Sequence, residues 1–195
     1  MKIIRARDLR TTPWKNGGGS TSEIAVMPAD ASLEDFDWRI SMAHVASDGP
    51  FSVFPGIDRT LAIVKGEGLM LTIGDDAPRM LDPGSDPISF PGDVPVSARL
   101  TKREIADLNV MTRRRRFSHF VQKIRSPTLR ALDDNETAVV LSFNGSTTLT
   151  SGQEVARLDH ADVAILSTTD RTRVRIEPAT SSDCYLVLLH KHEVS

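Results

Sequence analysis

The chain of 195 residues contains one cysteine, Cys184. No internal disulfide can therefore form, and the composition suits a reducing, cytoplasmic compartment. Cys184 opens the apolar run Cys184-Tyr185-Leu186-Val187-Leu188-Leu189, a setting for a buried thiol rather than a reactive one. Long hydrophobic runs are also missing: nothing approaches the roughly 18–20 apolar residues of a membrane span. The opening Met1-Lys2-Ile3-Ile4-Arg5 has charges on both sides of its two isoleucines and does not read as a signal peptide. Excess charge of one sign is absent, with 24 Lys+Arg against 26 Asp+Glu and a net charge of −2. That balance gives no bulk attraction to nucleic acid or to anionic membrane. A Gly-x-Ser-x-Gly nucleophile elbow is lacking, and Cys184 has no evident base beside it.

Extended helical periodicity is scarce too. Short alternating or continuous apolar runs, punctuated by Gly, Pro, Asp and Asn, dominate instead and predict an all-β protein. Strands are expected at Ile3-Ile4, at Glu23 to Met27 and at Trp38 to Val45, with a helical turn between Ala29 and Asp35 capped by Ser32. Further strands are expected at Thr60 to Lys65, Leu69 to Ile73, Ile88 to Phe90, Val96 to Leu100 and Asp107 to Met111. A second series runs from Phe117 through Thr137–Phe143, Glu154–Leu158, Val163–Ser167 and Thr172–Ile176 to Cys184–His190. The two series are loosely alike: Thr60-Leu-Ala-Ile-Val-Lys-Gly has a counterpart in Ala138-Val-Val-Leu-Ser-Phe-Asn-Gly. Two jelly-roll halves, residues 1–113 and 114–195, would account for this.

Alternation assigns faces. Trp38, Ile40, Met42 and His44 point one way, and Arg39, Ser41, Ala43 and Val45 the other, so this strand can be packed on one side and line a cavity on the other. Likewise Asp107, Asn109 and Met111 oppose Leu108 and Val110. The cationic and amide side chains Lys15, Asn16, Arg39, Ser41, Arg59, Asn109 and Arg113 form a donor set suited to a small carboxylate, because a guanidinium grips a carboxylate bidentately and an amide orients a neighbouring group. Residue types alone allow Arg39 and Arg59 equally to be buried braces paired with Asp37, Asp58 or Asp107. Glu23 and Asp107 are candidate acid–base carboxylates whose separation the sequence does not specify. His44 reads as a hydrogen-bonded core histidine. His190 and His192 read as solvated residues, having no carboxylate or Cys partner nearby in the sequence. Arg113-Arg114-Arg115-Arg116 alternate in direction without interleaved aromatics, a connection between halves rather than a nucleic-acid track.

The stretch Trp14-Lys15-Asn16-Gly17-Gly18-Gly19 couples an aromatic anchor, a cation and an amide to glycines that permit a tight turn or close backbone approach. It is followed by Phe36-Asp-Trp-Arg-Ile-Ser-Met-Ala, Gly49-Pro-Phe-Ser, Phe54-Pro-Gly-Ile-Asp-Arg59 and Asp107-Leu-Asn-Val-Met-Thr-Arg113. In this order, across residues 14 to 113, these blocks resemble the HutD/Ves family of cupin-like proteins.

That resemblance implies a double-cupin β-barrel fold and a link to bacterial histidine utilisation, with a pathway metabolite such as N-formylglutamate bound without turnover. A metal-independent isomerase or hydrolase, or a protein–protein regulatory module, are the alternatives, and exposed sheet edges allow a cupin-type homodimer. Metal-dependent cupins carry histidines in both cupin motifs. Here the first reads Phe54-Pro-Gly-Ile-Asp-Arg, without histidine, and the second places Pro95 where a ligand would stand. No metal and no other cofactor is expected, since a proline side chain cannot coordinate.

Overall fold

Short apolar runs broken by turn residues can close their backbone hydrogen bonds only by pairing with other strands. The computed structural model describes residues 1–167 and 173–192; their regular elements are strands plus one 3₁₀ turn at Ala6–Asp8. The chain divides into two compact units, residues 10–117 and residues 1–9 together with 118–195. This differs from a division at 113/114 because the first strand, β1 (Lys2–Ile4), pairs antiparallel with the strand Val163–Ser167, Lys2 opposite Ile165. Asp162 fixes that strap, accepting from Arg5 Nη1 (2.6 Å) and from the Ala6 backbone N–H (3.0 Å).

The unit of residues 10–117 runs through β2 (Arg10–Pro13), β3 (Gly19–Met27), β4 (Trp38–Val45), β5 (Gly49–Pro50), β6 (Ile57–Lys65), β7 (Leu69–Ile73), β8 (Arg79–Leu81), β9 (Ile88–Pro91), β10 (Val96–Leu100) and β11 (Ile105–Arg113). They form a six-stranded sheet in the order β2-β3-β4-β11-β6-β9 and a four-stranded sheet β5-β10-β7-β8. Val45, Leu61, Ile63 and Phe90 from the first sheet pack with Leu69, Leu71, Val96 and Ala98 from the second, and Trp14 and Phe51 lie against them. The other unit contains β12 (Phe117–Ile124), β13 (Thr128–Ala131), β14 (Glu136–Phe143), β15 (Thr147–Ser151), β16 (Glu154–Leu158), β17 (Val163–Ser167), β18 (Arg173–Pro178) and β19 (Asp183–Lys191). Its sheets are β1-β17-β14-β19-β12 and β13-β18-β15-β16. Cys184 is fully buried in its core, and desolvation pushes the thiol up to about 12. Thr172, the first residue of the strand expected at 172–176, lies outside the described residues. Among those described, no helix is long and apolar enough to cross a membrane.

Two local expectations need correction. Ser32 makes cap-like bonds, accepting from Glu34 N (3.2 Å) and donating to Asp35 Oδ2 (2.8 Å), but they close a turn without a helix. His44 is not a core residue: its imidazole is half-exposed at the end of β4, with Nε2 3.3 Å from Glu104. The apolar alternation of Trp38 and Ile40 runs out before it.

The glycine stretch joins β2 to β3. Trp14 N–H donates to Gly19 O (2.9 Å), Gly17 N–H to Trp14 O (3.0 Å), and the indole Nε1 to Thr21 Oγ1 (2.8 Å). A Cβ at Gly19 would collide with the His44 carbonyl oxygen and press on the Trp14 ring. Gly19→Ala should therefore cost about 1–3 kcal/mol in urea unfolding. Gly49→Ala, with nothing within 4 Å of the new methyl, should stay within about 0.5 kcal/mol.

Candidate functional site

Sheet register decides what faces the interior of the unit of residues 10–117. Across β4, β11 and β6, Arg39 lies opposite Met111 and Met111 opposite Arg59; Ser41 opposes Asn109 and Asn109 opposes Leu61; Ala43 opposes Asp107 and Asp107 opposes Ile63. Because side chains alternate strictly along a strand, these rows put Arg39, Ser41, Arg59, Asp107 and Asn109 on one face. They line a cavity of about 690 Å³ that Lys15 and Asn16 also border, a size suited to a small metabolite.

Arg59 is the cationic side chain buried in its wall. The residue is only 5% exposed, and its Cζ stands 5.3, 5.4 and 5.3 Å from the ring centroids of Phe51, Phe54 and Phe90. Desolvated cation–π contacts are worth about 2 kcal/mol or more each, partly offsetting the loss of water around the guanidinium. Nη1 donates to Ser52 O (3.0 Å), while the buried Nε has no partner. Burial lowers its pKa to about 10, opposed by the charge of Asp107, so Arg59 remains cationic at neutrality. Asp107 is 2% exposed. Desolvation pushes its pKa up to about 7, against the pull of Arg59 and of a hydrogen bond from the Ala43 N–H. Its Oδ1 has no partner, nor has Asn109 Oδ1. Three buried polar atoms on residues that line one cavity thus lack hydrogen bonds, an arrangement costly enough to call for an explanation.

The other expected donors have different positions. Arg39 lines the cavity, but its Nε donates to Glu23 Oε2 (2.9 Å); its partner is none of the aspartates considered as brace partners. That pairing occupies Glu23. In the sheet Glu23 lies opposite Ser41, which lies opposite Asn109, so β4 runs between Glu23 and the strand of Asp107. At about 4.8 Å per strand the two carboxylates are not an adjacent acid–base pair. Lys15 and Asn16 are exposed rim residues. Asn16 Oδ1 accepts from Gly18 N–H (3.0 Å), so the amides of Gly17 and Gly18 serve the turn. Arg113 does not line the cavity: Nε donates to Phe36 O (3.0 Å) and Nη2 to Glu34 O (2.7 Å). Arg114 bridges Asp58 and Asp93, and Arg116 pairs with Asp37. Phe51 and Phe54 belonged to the recognised motifs, yet only the fold shows that they cage Arg59.

The cavity does not fit a resident cation. A buried guanidinium lines it, no histidine does, and no group of three or more His, Cys, Asp or Glu that could hold a metal occurs among the described residues.

The HutD family model matches residues 6–184. The chain belongs to the HutD family. It is 31% identical over 171 residues to an uncharacterized 21.2 kDa protein in the hutC 3′ region of Pseudomonas putida, covering 87% of this chain and 88% of that one. It is 40% identical over 117 residues to Protein Ves of Citrobacter koseri, 60% of either chain. The structure of HutD from Pseudomonas fluorescens SBW25, formate condition, superposes with TM-score 0.84 at 30% identity, over 98% of this chain and 99% of that one. A cupin 2 conserved barrel domain protein from Leptotrichia buccalis shares the fold, with TM-score 0.60 at 12% identity over 97% of this chain and 96% of that one. This HutD-family protein is thus all-β with a cupin fold.

The raised pKa of Asp107 has a stability consequence. Native Asp107 keeps a proton above the unfolded value of 3.8, so the folded state binds more protons than the unfolded one between that value and about 7. Its contribution to stability falls as pH rises through this window. Asp107→Asn should flatten the decline, its denaturation midpoint gaining on wild type from pH 4 to about 7 and levelling off above that.

Proposed function

We propose that the cavity of residues 10–117 binds a small carboxylate without metal and without turnover, and that the protein senses or modulates histidine utilisation through N-formylglutamate or a related intermediate. The carrying observation is the caged guanidinium of Arg59, a cavity-lining residue whose buried Nε has no partner. A carboxylate would supply the missing acceptor in a charge-assisted bond. Asn109 Oδ1, also unpartnered, suits an amide N–H of the same ligand. Family membership supports the histidine-utilisation context.

Titration calorimetry with N-formylglutamate, urocanate, glutamate and histidine tests this. Saturable binding of N-formylglutamate is expected, weakened about 10- to 100-fold by Arg59→Gln, as for loss of one charged hydrogen bond. Indifference to all four compounds would sink the reading. One observation favours a second reading: a buried carboxyl titrating near 7 is also tuned for general base work at neutral pH. Metal-independent turnover of a bound carboxylate, detected by NMR of the product and abolished in Asp107→Asn, would establish that enzyme.

A further inference from the structure

Charge accounting inside the cavity leads beyond carboxylate binding. Facing it are Arg39 from β4, held by Glu23 of β3 (2.9 Å), Arg59 from β6 and Asp107 from β11, with Lys15 and Asp48 contributed by loops. Asp48 already accepts from the Leu100 N–H (2.7 Å), and Lys15 is an exposed rim residue. Glu23 and Arg39 cancel. Two deeply buried charges remain, Arg59 and Asp107, each retaining an unpartnered atom. When both are ionised they sum to zero. An incoming carboxylate would then place two anions against one buried cation, which a water-poor site does not tolerate. A proton on Asp107 Oδ1 removes the excess. It also turns an orphaned acceptor into an O–H donor.

We propose that Asp107 is the specificity residue of this cavity: it takes up one proton from solvent as a carboxylate settles on Arg59, and donates it in a hydrogen bond to the ligand. The inference rests on the carboxylate reading of the site. The deep end consequently accepts one negative charge, and a second carboxylate of the same ligand must stay at the rim near Lys15. The free protein is poised for this, since its Asp107 titrates near 7 and the proton is readily acquired at neutral pH.

The test is calorimetric titration of the purified protein with N-formylglutamate and with formate at pH 6, 7 and 8, in PIPES and in imidazole buffers. The carboxyls of both probes are ionised throughout this range. Above pH 7 the apparent binding heat should differ between buffers by up to about one proton's ionisation, and affinity should fall up to about tenfold per pH unit. Asp107→Asn, whose amide donates without titrating, should bind with an affinity flat from pH 6 to 8 and no buffer dependence. Saturable wild-type binding with flat affinity and no buffer effect would overturn the proton uptake while leaving the carboxylate site standing. Failure of both probes to bind would remove the site and the proposal together. Should Asp107→Asn not fold, ¹³C NMR of the wild-type Asp107 carboxyl decides: saturating N-formylglutamate should move its titration to higher pH, and an unmoved titration counts against the proposal.

Discussion

Removing one guanidinium from water is the constraint on which this structure turns. Transfer of an ion into a protein interior costs on the order of several kcal/mol even after relaxation, and Arg59 is 5% exposed. Three phenylalanine rings and one carbonyl share the compensation. Phe90 stands opposite Arg59 on β9, and to supply the other two rings and the carbonyl the segment between β5 and β6 must fold back over the sheet. Phe51 N–H donates to Val96 O (2.8 Å) and Phe54 N–H to Gly92 O (2.8 Å), while Gly92 N–H reaches Ile57 O (2.7 Å). Those bonds anchor the aromatic rings through backbone, so the cage does not depend on ligand to form. Nε is left over, and with it the reason to expect an anion.

Much of this was legible in the amino-acid sequence because alternation is a local property. The inward set of β4 and β11 follows from period two alone, and Arg39, Ser41 and Asn109 appear where it places them. What alternation cannot supply is the neighbour across the sheet. Arg113 has the same parity as Asn109, but it lies at the end of β11, where the carbonyls of Glu34 and Phe36 capture its guanidinium. Arg39 finds Glu23 because β3 pairs with β4, a partner no window around residue 39 would suggest. β1 joins the far unit by a pairing that spans most of the chain. Asp107 was visible as a cavity-side residue, yet its perturbation depends on complete desolvation, a property of the closed unit and not of the strand.

The glycine arm shows the same division between local and tertiary causes. Its composition allows either a tight turn or an anion cradle, and both use backbone N–H groups. In the structure those groups are already committed, Gly17 to Trp14 O and Gly18 to Asn16 Oδ1. The glycines instead let the chain run against the His44 carbonyl and under the Trp14 ring. That close passage puts Lys15 and Asn16 at the rim, where they meet solvent and cavity together.

A buried arginine lining a cupin-fold cavity also changes what the cavity is suited to do. A metal ion offers exchangeable coordination positions and polarises whatever occupies them. A guanidinium offers fixed donors, holds its charge across the physiological range and neither exchanges ligands nor transfers its proton readily. With Arg59 supplying attraction, the group able to change state near neutrality is Asp107. On the proposed carboxylate reading, a site built from one permanent cation and one titratable anion would discriminate ligands by charge and by proton count. Such selectivity would suit the proposed metabolite sensor, and the two residues that would set it are strand positions on one face of the sheet.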